Sequence, residues 1–263
     1  MKLVGGRTKK IFSALWWSSI AMLFCITTIS AVALHSKHQI KKVEYHLIHL
    51  CDGNDLITVD EIKKKVFAAY NLDFVGVEID RIDLEGLETI LRKEAFIVDA
   101  DAYLDARNVL HLDIAQRTPI LRVIGLNGAN YYLDAEGVRL PLSKHFTARV
   151  PVVSGAVSDY SEDFFKKNTS LKAAYEVVKE AREDALVAAW LEGIYVQSNQ
   201  DLWLTGNVGD FKIIFGDDQH LDHKFHKMKC FLKDGLKITG WKNIESINLK
   251  YNSQVVVKSP AKV

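Results

Sequence analysis

The sequence predicts an α+β protein: a single N-terminal transmembrane helix, a strand-helix-helix-strand-strand module, and a mixed β-domain that carries helices. Three observations predict it. Residues 11–34 hold no charged side chain. The apolar period then changes from that of a helix to that of a strand between residues 59 and 114. Beyond residue 117, short β-branched and aromatic runs alternate with helical stripes. Composition agrees, since 48% of the 263 residues are apolar and 25% are charged, values that exclude disordered, collagen-like and mucin-like chains. Lys and Arg total 34 against 33 acids. Lys2, Arg7, Lys9 and Lys10 fall in the first ten residues, which leaves 30 bases and 33 acids in residues 35–263. A mildly acidic body without a basic stripe argues against nucleic-acid binding. No Gly-rich phosphate loop is present, and nothing points to a small-molecule substrate.

Each element follows from its residues. As a helix, the uncharged run 11–34 would span about 36 Å, more than a hydrocarbon core of about 30 Å. Trp16 and Trp17 lie near its basic end, where amphipathic rings favour the interface. Ala31-Val32-Ala33 resembles a signal-peptidase site, but signal h-regions are shorter than this run, so the expectation is a retained anchor in contact with membrane lipid. The ten-residue basic tail stays in the cytoplasm and the C-terminal body lies outside it. Residues 40–47 start extended. Thr58-Val59-Asp60-Glu61 has the form of a capping box, and Ile62, Val66 and Tyr70 mark the buried face of the helix that follows. A second helix opens at Asp83 and aligns Leu84, Leu87 and Leu91. Val98, Ala100, Ala102 and Leu104 then alternate with Asp99, Asp101, Tyr103 and Asp105, and Leu110, Leu112 and Ile114 repeat the period of two.

The second stretch is longer. Tyr131 to Gly137 is a strand running into an acidic, Gly-ended turn. Leu171, Ala174, Tyr175 and Val178 form one helical stripe, and Leu221, Phe225, Met228 and Leu232 form another. Strand-like runs lie at residues 193–197, 202–205 and 211–215. Two more close the chain, at 246–251 and 254–258 around Asn252-Ser253. The last is β-branched, is stopped by Pro260, and is expected at a sheet edge.

Candidate chemistry is sparse. His220, His223 and His226 put three imidazoles in seven residues, the ligand set of an alternative reading in which the protein is a membrane-anchored extracytoplasmic metal-dependent hydrolase. Against it, the apolar stripe of the same helix leaves the histidines on the solvent side among Lys224, Lys227 and Lys229, whose charges oppose a bound cation. Cys51-Asp52-Gly53-Asn54-Asp55 lacks the distal Glu of a calcium loop and reads as a turn. Asp99, Asp101 and Asp105 read as the wet face of a strand rather than as paired catalytic carboxylates. Ser154-Gly155 lacks the nucleophile elbow. Cys51 and Cys230 allow either one disulfide or two separate thiols. The sequence thus assigns no catalytic residue, no metal and no cofactor.

The order of features resembles the bacterial FtsQ/DivIB cell-division family, in a Bacteroidetes-like form. The resemblance runs through the basic tail, the anchor, the first module ending in Gln116-Arg117-Thr118-Pro119, and then Tyr132-Leu133-Asp134-Ala135-Glu136-Gly137, Leu140-Pro141-Leu142-Ser143 and Val150-Pro151-Val152-Val153-Ser154-Gly155. It continues through Val208-Gly209, Ile214-Phe215-Gly216, Lys227-Met228-Lys229 and Ile247 to Tyr251 before Gln254-Val255-Val256. Asn207 departs from it, standing where a basic residue is expected. The resemblance implies a cytoplasmic tail over residues 1–10, a transmembrane helix over 11–34, a POTRA (polypeptide-transport-associated) domain over 35–116, a β-domain over 117–258 and a tail over 259–263. It implies a non-enzymatic divisome scaffold in the cell inner membrane, single-pass, with its C-terminal domains periplasmic. Its partners would be the small single-span division proteins FtsB and FtsL, through which septal peptidoglycan synthesis is regulated. It points to Tyr251, Gln254, Val255, Val256 and Val257 as the partner-binding residues.

Overall fold

A computed structural model of the chain describes residues 16–27, 38–240, 243–251 and 254–260. The basic tail, both ends of the apolar run 11–34, the expected turn at Asn252-Ser253 and residues 261–263 lie outside the described residues. Helix α1 covers residues 16–27, and among the described residues no helix is long and apolar enough to cross a membrane. The chain divides into two compact units, one made of residues 1–48 and 59–115, the other of residues 49–58 and 116–263.

The first unit is α+β in the order β1 (Lys42–Ile48), α2 (Val59–Tyr70), α3 (Leu84–Arg92), β2 (Ile97–Leu104) and β3 (Val109–Gln116), the last residue of β3 belonging to the second unit. Its three strands lie in the order β1-β3-β2, with β1 parallel to β3. α3 starts at Asp83, whose carboxylate accepts the Gly86 N–H at 2.9 Å and satisfies one of the amides a helix start leaves open. Ile62 and Val66 of α2 and Leu87 and Leu91 of α3 are buried, as are Leu110, Leu112 and Ile114 of β3. The period of two holds through β3 but slips at the start of β2. Val98, expected on the buried face, is exposed together with Asp99, and Ile97 is buried in its place. At this point the Asp99 carboxylate accepts the neighbouring Ala100 N–H at 2.9 Å.

The second unit is one nine-stranded sheet with helices. Its elements are β4 (Pro119–Gly125), β5 (Asn130–Asp134), β6 (Arg139–Leu140), β7 (Val152–Gly155), α4 (Ser170–Ala181), α5 (Ala185–Trp190), β8 (Leu191–Val196), β9 (Leu202–Gly206), β10 (Lys212–Gly216), α6 (Leu221–Cys230), α7 (Leu236–Thr239), β11 (Ser246–Asn248) and β12 (Val256–Lys258). The strand order is β12-β11-β10-β9-β8-β7-β4-β5-β6. Parallel neighbours occur where a longer connection intervenes: β7 pairs with β8 across α4 and α5, and β10 pairs with β11 across α6 and α7. Leu171, Ala174, Tyr175 and Val178 of α4 are all buried in one core with Val153, Ile194, Leu204, Ile213 and Phe215 of the sheet. The start of this unit is fastened by polar groups. The Gln116 side chain accepts the Leu56 N–H at 2.7 Å and donates to Asp55 at 2.7 Å. Arg117 donates to the Asp134 carboxylate at 2.8 Å, and the other Asp134 oxygen accepts the Glu136 and Val138 N–H groups, which closes the turn into β6.

Candidate functional site

The carboxyl-terminal edge of the large sheet is built by the β10-α6-β11 crossover. Phe225 and Met228 of α6, and Leu232 in the π turn after it (Phe231–Gly235), are buried against the sheet. Lys227, on the flank of that stripe, donates from Nζ to the carbonyls of Leu249 at 2.8 Å and Tyr251 at 2.7 Å. Burial holds this ammonium below the ordinary lysine range, with the charge of Lys224 adding to the effect. The helix therefore clamps the chain where it leaves β11. β12 then returns antiparallel, placing Val256 opposite Asn248, Val257 opposite Ile247 and Lys258 opposite Ser246. Gln254, Val256 and Lys258 are exposed, whereas Val255 and Val257 are half-buried and pack on the core. Lys258 pairs with Glu245 at 2.6 Å, an exposed ion pair at the rim.

Among the described residues β12 has a neighbour on one side only, because it is the last strand of the sheet order. A terminal strand presents a row of N–H and C=O groups with the geometry that an added strand satisfies. Val256, 40% exposed, and Tyr251, 51% exposed, flank that row with apolar surface. Val256 and Val257 lie in this edge strand, whereas Gln254 and Val255 precede it, outside the strand pairing. The run expected over 246–251 is a strand only over Ser246–Asn248, and Tyr251 does not share the burial of Ile247 and Leu249. Those two are buried, whereas Tyr251 is exposed, because strand pairing in β11 ends at Asn248 and the Lys227 clamp redirects the chain after it.

The remaining candidates lie apart from this edge. His220 precedes α6 in a left-handed conformation, φ 53°, and His223 and His226 are exposed. Ligand atoms of these three histidines do not converge; among the described residues the convergent group is Glu44, His46 and His111. Lys224, expected on the solvent side, is buried: its ammonium binds the Asp217 carboxylate at 2.6 Å and carbonyl at 2.9 Å, over the Phe215 ring. Cys51 and Cys230 are exposed thiols that are not bonded to each other. Residues 51–55 form a turn closed by the Gly53 N–H on the Leu50 carbonyl at 2.8 Å. Asp99 pairs with Arg92, which holds its carboxyl below the usual range, and Asp105 is held far below that range by the Val109 N–H and by Arg107. Gly155 serves packing: at φ 92° its missing Cβ would lie 2.3 Å from the Val196 carbonyl oxygen. Sequence reasoning missed the Glu44, His46 and His111 group. Its signal was the Glu-x-His spacing, which puts both side chains on one face of a strand.

No curated protein matches the chain. The family model described as FtsQ/DivIB, C-terminal related, matches residues 118–258, more than half of the chain and every strand from β4 to β12. Because that match spans the whole nine-stranded sheet, including the terminal strand, the chain belongs to the FtsQ/DivIB C-terminal related family, whose members serve cell division.

Proposed function

We propose that the protein is a non-enzymatic scaffold of the division septum that links division proteins and regulates septal peptidoglycan synthesis through protein–protein contacts. The observation that carries this reading is the family match over residues 118–258, which contains the open edge strand β12. In this reading a small single-span division protein of the FtsB type adds a strand beside Gln254, Val255, Val256 and Val257, with Tyr251 at the rim. An FtsL-type protein joins the same assembly.

Residues 11–34 act as a single-pass inner-membrane anchor, with residues 1–10 in the cytoplasm and the C-terminal domains in the periplasm. Two observations support the anchor: the run carries no charge, and its described part, α1, leaves Trp16, Trp17, Met22, Leu23 and Phe24 exposed. Such an apolar helix surface needs a non-aqueous partner. Residues 35–116 act as a POTRA domain, a reading supported by the β-α-α-β-β order of the first unit. His220, His223 and His226, the ligand set of the hydrolase alternative, do not gather.

Depletion tests the proposal. Cells that lose the protein should form filaments with blocked septa, and a copy with His220, His223 and His226 all changed to alanine should restore division. Normal septation after depletion, or failure of that copy to rescue despite normal accumulation, would overturn the reading.

A further inference from the structure

The face of the three-stranded sheet that carries Glu44, His46 and His111 is set by strand register. β1 and β3 run parallel with Glu44 opposite His111, and His46 lies two residues along on the same face as Glu44. His111 Nδ1 is 3.5 Å and His46 Nε2 is 3.7 Å from the same Glu44 oxygen, and all three ligand atoms lie within 4.8 Å of one another. Zinc bound at about 2.1 Å from each ligand of a tetrahedral set separates those ligands by about 3.4 Å. The separations of His111 Nδ1 and His46 Nε2 from the Glu44 oxygen need to close by only a few tenths of an ångström.

Independent features point to a ligand at this place. His111 is 9% exposed, and its Nδ1 is a buried atom without a hydrogen-bond partner. A buried ring nitrogen without a hydrogen bond is a state that native structures rarely tolerate. The ring is fixed in position, stacked on Tyr103 at 5.0 Å and on His46 at 5.7 Å between centroids. Behind it, the Asp105 carboxylate faces Nε2 at 3.6 Å. A carboxylate behind the second ring nitrogen is the usual support of a metal-bound imidazole, since it directs the proton to Nε2 and leaves Nδ1 to ligate. Lys42 holds the other Glu44 oxygen at 2.6 Å on a largely exposed side chain, so it leaves the ligating oxygen open. Two imidazoles and one carboxylate suit zinc better than magnesium or calcium, which take oxygen ligands.

We propose that Glu44, His46 and His111 bind one divalent transition-metal ion of the zinc class, with Asp105 as a positioning residue behind His111 and water completing the coordination. The test is equilibrium dialysis of the purified full chain against Zn²⁺ alone, with metal content and melting temperature as readouts. The parent should take up one zinc per chain and melt higher with it. His46→Ala and His111→Ala should each lose that zinc and its thermal shift. Asp105→Asn should weaken binding about 10- to 100-fold. A chain with His220, His223 and His226 all changed to alanine should bind as the parent does. His46 is exposed, so its variant tests the site even if His111→Ala fails to fold. Absence of stoichiometric zinc in the parent, or zinc retained by His46→Ala, would overturn the assignment.

Discussion

The two edges of the nine-stranded sheet are alike in topology and unlike in how they are held. At one end, β6 is two residues long, yet Leu140 is fully buried and the Arg139 guanidinium lies 4.4 Å from the Tyr131 ring centre. The turn that feeds it is closed by Asp134, 1% exposed, which is paired with Arg117. At the other end, β12 is joined to one neighbour by three residue pairs, rests on half-buried Val255 and Val257, and ends in an exposed ion pair. A short edge tied into the core offers no template for another strand, whereas a longer, lightly held edge does. The contrast favours β12 over β6 as the edge that the proposed partner strand would join.

That contrast sets an order of effects. Arg117→Ala should be the most damaging, at about 3–5 kcal/mol, because it leaves a buried carboxylate without its cation. Calorimetry should show it as a fall of order 10 °C in the melting temperature of the second unit. Leu140→Ala should follow, at about 2–5 kcal/mol for a cavity at a fully buried site, whereas Val257→Ala on β12 should cost about 1 kcal/mol. Equal losses in chemical denaturation would mean that the two edges are held alike. Lys227→Met removes two charged hydrogen bonds to the chain leaving β11, and should cost about 1.5–3 kcal/mol while increasing hydrogen exchange in β12 more than in β6. Lys258→Ala removes only a surface pair and should change stability by less than about 1 kcal/mol. A larger effect there would mean that β12 is anchored through its rim.

Much of this architecture was legible in the sequence because burial imposes a period. Leu110, Leu112 and Ile114 announced β3, and the stripe from Leu171 to Val178 announced α4. The same patterns gave the strand-helix-helix-strand-strand order of the first unit and a terminal strand after residue 253. What escaped depends on pairing between distant segments. Parallel register between β1 and β3 brings His111 beside Glu44, sixty-seven positions apart, and no local pattern records that pairing. Lys224 looked solvated among charged neighbours, but Asp217, seven residues upstream, satisfies its ammonium within the fold. Tyr251 closes the run expected over 246–251, but strand pairing stops at Asn248. Periodicity reports which face is buried, and tertiary hydrogen bonds decide where the period ends.

Whether the edge of β12 receives a partner strand can be decided with a single proline. Proline has no N–H and fixes its own backbone, so Val256→Pro spoils β12 as a template while leaving the core contacts of the sheet in place. Full-length parent and Val256→Pro chains should be purified with a co-expressed FtsB-type partner and compared by co-purification, with melting temperature as the check on folding. Val256→Pro should melt close to the parent and lose the partner. A stably folded Val256→Pro chain that retains the partner at parental yield would contradict it.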